Sequence, residues 1–301
     1  MVARAAVPDS VLRKEAETKQ RTLLGDARRR FFRNRLAVFG LVIVCALLFL
    51  AVFADVISPH PYTKVYFDRV RLLPGANPAH PLGTDQVGRD FLSRLIYGAR
   101  TSMVVGLSVM GLAVLVGVPL GGLAGYMGGT VDWVISRFID IMTAFPSLLF
   151  AILLISVWGG GMSKVILALG ITAWIDIARL TRGQVLSLRE KEYVEAARAI
   201  GASQWSIITK QLVPNALSPI LVAVSFGIPA AIFAEAGLSF LGIGINDPMA
   251  SWGQMVGISN AYIRVSWHLA VFPTIAIALT MLGFRFMGDG LRDALDPKML
   301  E

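Results

Sequence analysis

Three carboxylates, Asp140, Asp176 and Glu235, fall within or at the edges of long hydrophobic runs. A carboxylate at mid-bilayer costs about 2.5–3.5 kcal/mol on insertion scales, so each needs a partner or a task. Asp140 follows Arg137 by three residues and Asp176 precedes Arg179 by three, a helical spacing at which ion pairs form. Two intramembrane aspartates also suggest a protease dyad, in which facing acids drive their pKa values apart. The adjacent arginines favour ionised carboxylates, which argues against that chemistry. Glu235 has no basic residue within a turn or two and stands just before Ser239 and the glycine-rich stretch 242–253. It either bonds to a neighbouring helix or, with Ser239 and Trp252, lines a translocation pathway or outer gate. A proton-coupled secondary transporter, with Glu235 or Asp176 as proton carrier, is the alternative to the reading reached below. Such folds carry internal repeats, and no clear repeat is present.

Other chemistries find no support. His60, His80 and His268 are scattered without metal-ligand spacing, so no metal site is expected. Cys45 is the single cysteine and lies in an apolar run, which excludes an intrachain disulfide. No nucleophile–base pair emerges, and no G-x-x-x-x-G-K-[ST] phosphate cradle occurs in the chain. The chain is therefore expected to bind no cofactor and to catalyse no reaction; an ATP-driven process would need a separate ATPase. The net charge of +8 comes from basic residues flanking apolar runs, the mark of a membrane protein and not of a nucleic-acid binder.

The elements that position these residues are membrane helices. Of 301 residues, 55% are hydrophobic and only 16% charged, against about 25% in soluble domains. Spans of about 20 apolar residues are read at Ala37–Ile57, Ser102–Tyr126, Phe138–Trp158, Val165–Leu180, Pro219–Leu241 and Leu269–Met287. The predicted fold is thus all-α with six transmembrane helices. Its predicted parts are a basic tail over 1–36, a first span over 37–57 and an outer loop over 58–101. A core over 102–290 and a tail over 291–301 follow. Arg28, Arg29, Arg30, Arg33 and Arg35 argue for a cytoplasmic N-terminus, and alternation then places the C-terminus inside as well. Arg28–Arg33 also resembles a twin-arginine signal, but no convincing cleavage site follows Ala54, so the first span is read as retained. The outer loop is the weak point of this topology, since it carries Lys64, Arg69, Arg71, Arg89, Arg94 and Arg100. Within it, Phe91, Leu92, Leu95 and Ile96 predict a helix lying at the outer interface. Gly117, Gly121 and Gly125 recur every four residues, a pattern for close helix packing or, with Pro119, for a hinge.

Between the fourth and fifth spans, segment 187–215 is polar yet helical in period. Ser187 and Glu190 have capping-box spacing. Tyr193, Ala197 and Ile200 predict one helix face, Gly201 a left-handed turn, and Trp205, Ile208 and Leu212 a second stripe closed by Pro214. Such a helix–turn–helix on an aqueous face suits docking into another protein.

The same segment resembles the EAA loop of ABC importer permeases through Glu195-Ala196-Ala197, Gly201 and Pro214, with Gln211 and Val213 where that pattern has Ile and Leu. LGTDQVGRDFLSRLIYGAR (82–100), EKEYVEAARAIGAS (190–203), EAGLSFLGIGINDPMASWG (235–253) and GDGLRDALDPK (288–298) are colinear with signatures of the dipeptide/oligopeptide group, C-type subunit. Arg285 stands where relatives tend to have Asn. The resemblance implies a non-catalytic permease subunit, multi-pass in a bacterial inner membrane. Its implied partners are a second homologous permease, two cytoplasmic subunits using ATP and Mg, an extracytoplasmic peptide-binding protein, and lipid. Tyr193, Glu195, Ala196, Ala197, Gly201, Ala202, Ser203, Trp205 and Pro214 would form the ATPase-coupling element. Dipeptides, longer peptides, glutathione and nickel complexes all remain open as cargo.

Overall fold

A computed structural model describes residues 23–295, so the sequence features at 1–22 and 296–301, Lys298 among them, lie outside the described residues. The described chain is all-helical: an isolated bridge joins Thr84 and Asp90, and no strand is present among these residues. Helix α1 (Leu23–Arg33) passes into α2 (Arg35–Val52) at Asn34, whose side chain accepts hydrogen bonds from the amides of Leu36 and Ala37 at 3.1 and 3.3 Å. That is the ordinary way a short amide side chain satisfies the free donors of a new helix. A single turn, α3 (Ala54–Ile57), leads into an irregular loop.

Helix α4 (Phe91–Met127) then runs 37 residues, about 55 Å at 1.5 Å per residue. No separate interfacial helix precedes it, contrary to expectation: Asp90 caps the first turn by accepting from the Ser93 amide at 2.8 Å, and the helix continues without a break. Arg94, which lies off the apolar face of Phe91, Leu92, Leu95 and Ile96, is nevertheless only 2% exposed. The predicted third span is also discontinuous. It consists of α5 (Gly129–Thr143) and α6 (Ser147–Trp158), bent by 77° at a break ending in Pro146, which lacks the amide hydrogen a continuous helix would use. Helix α7 (Met162–Leu188) contains the predicted fourth span and is longer than expected. After a polar segment come α10 (Val213–Phe240), α11 (Trp252–Ser259) and α12 (His268–Leu295), preceded by two short helices, α8 (Glu192–Ala199) and α9 (Gln204–Ile207).

By length and apolarity, four helices reach spanning criteria, α2, α4, α9–α10 taken together and α12, or five with the bent α5–α6 pair. Helix α7 fails only because Lys164, Asp176, Arg179 and Arg182 interrupt it. The tightest packing joins α4 to α7. A Cβ at Gly117, Gly121 or Gly125 would come within 2.6, 2.3 or 2.8 Å of the carbonyl oxygens of Trp174, Ala178 or Arg182. These three glycines bring the two backbones into direct contact, where dispersion between helices is strongest.

The bundle has two distinct ends. At one, the Gly161 amide donates to the Gly244 carbonyl at 3.0 Å, and the ring of Phe91 meets that of His268. At the other, the Arg189 guanidinium donates to the Gly125 carbonyl at 3.0 Å, and a Cβ on Gly290 would strike Ala37. The start of α2 and the end of α12 therefore lie at the α8–α9 end.

Candidate functional site

At that end, α8, Gly201 and α9 form a compact element. Gly201 has φ +81°, which glycine adopts without penalty, and the Ala202 amide closes the turn on the Ala197 carbonyl at 3.0 Å. Ser203 starts α9 by accepting from the Ser206 amide at 3.3 Å. The expected capping box is absent: Ser187 belongs to the last turn of α7, and Lys191 precedes α8 without a side-chain bond. Pro214 does not close the second helix either. The chain passes from α9 through a wide i→i+5 turn (Ile208–Leu212) straight into α10, and Pro214 occupies its first turn, where no amide hydrogen is required.

The inward stripe is Val194, Ala197, Ile207, Ile208 and Leu212, packed on Val185 of α7. Of the predicted faces, Ala197, Ile208 and Leu212 are buried, whereas Tyr193, Ile200 and Trp205 are 38%, 86% and 62% exposed. Three large apolar side chains thus point away from the chain, beside exposed Glu195, Ala196, Ser203 and Pro214 and half-buried Ala202. The element is anchored from behind. The Arg198 guanidinium lies 5.2 Å from the Tyr126 ring centre at the end of α4.

At the opposite end, two loops are joined by charge. Arg89 donates to Asp85 at 2.6 Å and to Asp247 at 2.8 Å, while Arg94 reaches the same two acids at 3.6 and 3.2 Å. Burial alone would raise the Asp247 pKa, but the Arg89 hydrogen bond and the charges of Arg89 and Arg94 outweigh it and hold the carboxyl below its usual range. No sequence signal announced this cluster, since Arg89 and Asp247 are 158 positions apart. Beside it, donor atoms of His60, His80 and Asp90 lie within 4.8 Å of one another, a grouping that linear spacing did not show. Asp90 already accepts from the amide and hydroxyl of Ser93 and pairs with His80 Nδ1 at 2.8 Å, so its role in the loop is structural.

Glu235, Ser239 and Trp252 are all buried between α10, α11 and α4. Ser239 and Ser251 hydroxyls donate to Glu235 Oε1 at 2.7 and 2.6 Å, and the Trp252 indole donates to the Leu95 carbonyl at 2.9 Å. None of the three lines the cavity of about 510 Å³ that opens between α4, α6, α7 and α10. Asp176 does line it. The expected Asp176–Arg179 pair is not formed: Arg179 instead faces Asp140 at 3.7 Å, as Arg137 also does.

Residues 117–301 match the family model for the binding-protein-dependent transport system inner membrane component. Residues 22–74 match the N-terminal TM domain of oligopeptide transport permease C. The chain is 43% identical to the dipeptide transport system permease protein DppC of Bacillus subtilis over 95% of this chain and 90% of the relative. It is 40% identical to the oligopeptide transport system permease protein OppC of Haemophilus influenzae, over 94% and 91%. The glutathione transport system permease protein GsiD of Pectobacterium atrosepticum is 41% identical over 90% of each chain. Among solved structures, an inward-facing MetNI methionine ABC transporter chain aligns with TM-score 0.57 at 20% identity, covering 68% of this chain and 97% of that one. At that identity the likeness speaks for the fold alone.

Proposed function

This chain belongs to the binding-protein-dependent transport system inner membrane components, and on that premise we propose that it is a peptide permease subunit of an ATP-driven importer. It forms half of the translocation pathway and hydrolyses nothing itself. A second, related permease supplies the other half, two cytoplasmic subunits bind ATP and Mg, and an extracytoplasmic binding protein delivers the peptide. The membrane is a bacterial inner membrane, with both chain ends in the cytoplasm.

Six crossings are the count read for this arrangement. Helix α5 starts at the α8–α9 end, directly after α4, while Gly161, after α6, sits at the opposite end beside Gly244. On this reading the bent pair and α7 each count as one crossing, together with α2, α4, α10 and α12. The α8–α9 end also carries Arg28, Arg29, Arg30, Arg33, Arg189 and Lys191, which suits the cytoplasmic face.

The observation that carries the reading is the outward set Tyr193, Ile200 and Trp205, held on a helix–glycine–helix element that is packed firmly on its other side. Such a face binds a partner cleft differently in two ATPase states, and that difference in contact is what moves a two-state permease. Of the two proton-carrier candidates, Glu235 is buried among serine hydroxyls away from the cavity, which argues against proton coupling through it, and Asp176 lines the cavity.

The test is purification of the tagged chain from its native membrane, followed by peptide uptake in liposomes. Wild type should bring down a second permease and ATPase subunits and import peptide only with ATP. Ile200→Asp, at a largely exposed position, should keep the second permease, lose the ATPases and abolish uptake. Retained ATPases with normal uptake would overturn the docking assignment.

A further inference from the structure

Asp176 differs from Asp140 and Glu235, the other two carboxylates of the apolar runs, in that no opposite charge or hydroxyl is bonded to it. It projects into the cavity of about 510 Å³ and is the only charged residue among those lining it. The remaining wall is mostly aliphatic and aromatic, with Met110, Leu169, Ala223 and Phe226 among its members, and Ser147 and Thr172 supply its two hydroxyls. Thr172 lies on the same wall but donates its hydroxyl to the Leu169 carbonyl at 3.1 Å, within its own helix. Arg179 is drawn off to Asp140 and Thr143. No ion pair engages Asp176 among the described residues.

Depth makes that isolation informative. Asp176 stands midway along α7, and the facing wall residue Met110 stands midway along α4. An ionisable residue at this level is expensive unless it faces water and meets a counter-charge. The side chain is exposed on this chain's surface, where a group from outside the chain can reach it.

We propose that Asp176 accepts the α-ammonium group of the peptide in transit. This rests on the importer reading above and adds the residue that reads the cargo. The α-amino group is the one cation every linear peptide carries whatever its sequence, and it is largely protonated near pH 7. One carboxylate in a mostly apolar wall can hold that common feature and leave the variable side chains against surfaces that discriminate little. The same wall offers no cation for the peptide's carboxylate, so the contact also orients the peptide, amino end toward α7.

The experiment is a four-arm comparison in liposomes carrying the complete transporter, with the binding protein saturated by trialanine or by N-acetyl-trialanine. Wild type and Asp176→Asn are each assayed with both peptides. Because the binding protein is identical in all arms, its own preference cancels in the wild-type-to-variant ratio. That ratio should be about tenfold for trialanine and near one for the acetylated peptide, as for loss of a charged hydrogen bond. Asp176→Glu should retain most trialanine uptake. Equal ratios for the two peptides would overturn the proposal. So would loss of Asp176→Asn from the assembled complex, which would make Asp176 a contact with the second permease. Wild-type liposomes that import neither peptide would instead overturn the importer reading on which this rests.

Discussion

Glu235 shows how a buried carboxylate is made tolerable without a counter-ion. Two hydroxyls, from Ser239 one turn along and Ser251 across the loop, converge on one oxygen. Glu235→Gln keeps that acceptor and should leave the apparent Tm in detergent close to wild type. Glu235→Ala should destabilise by about 2 kcal/mol, because it strands both buried hydroxyls. An alanine variant as stable as the glutamine one would mean that the serines find other partners. The glycines offer a second contrast. Gly121→Val would drive side-chain atoms into the Ala178 carbonyl, whereas Gly111 has nothing within 4 Å of its would-be Cβ. Overpacking of about 1–3 kcal/mol is expected for the first, and a slight gain for Gly111→Ala, since alanine restricts the unfolded chain more. Thermal unfolding of the two variants side by side checks both. The spacing of Gly117, Gly121 and Gly125 was legible in the sequence because a four-residue repeat is a local signal. The isolation of Asp176 was not, because it depends on Arg179 turning toward Asp140 on another helix.

At the scale of elements, the α8–Gly201–α9 unit was readable as two helices with a left-handed glycine between them, yet its faces were assigned imperfectly. The cause is physical: apolar residues occupy two sides. Val194, Ala197 and Ile207 hold the unit to α7, while Tyr193, Ile200 and Trp205 face outward. A short helix with two apolar faces has no single period to read. The kink between α5 and α6 was hidden for a similar reason, since the run around Pro146 is apolar enough to pass as one continuous span. Gly201 gives the element its testable property. At φ +81°, Gly201→Val should cost about 1–2 kcal/mol locally, while Gly201→Asn should be tolerated, because only small polar side chains bond locally in that conformation. Nothing lies within 4 Å of the position, so the loss comes from the backbone and not from a clash. Peptide-stimulated ATP hydrolysis by the assembled complex is the readout: strongly reduced for valine, near normal for asparagine. Equal rates would show that the turn need not be left-handed.

Across the whole molecule, the basic residues of segment 58–101 oppose the charge rule behind the proposed orientation, and ion pairs offset part of their charge. Arg89 and Arg94 are paired with Asp85 and Asp247, Arg100 with Asp55 at 2.9 Å and Arg69 with Asp68, which leaves Lys64 and Arg71 without an ion pair among the described residues. The pairs to Asp247 and Asp55 link segments far apart in sequence, which no local pattern can reveal. The lowered Asp247 pKa makes the linkage sensitive to acid in one direction. Its stabilisation is fully present above the unfolded carboxylate value, about pH 3.9, and is lost as pH falls through the still lower folded value. Proteolysis of the outer loop should therefore stay slow at pH 5 and accelerate only below about pH 4. Asp247→Asn should flatten that step. An unchanged acid profile in the variant would assign the step to another acid. Orientation itself is open to a direct measurement that uses the chain's single cysteine as its starting point. In a Cys45→Ser background, Ala76→Cys marks the outer loop and Lys191→Cys marks the start of α8, both at exposed positions. A membrane-impermeant maleimide should label the first in intact cells and the second only after permeabilisation. The reverse pattern would turn the molecule over, placing its most arginine-rich end outside and leaving Tyr193, Ile200 and Trp205 with no ATPase to meet.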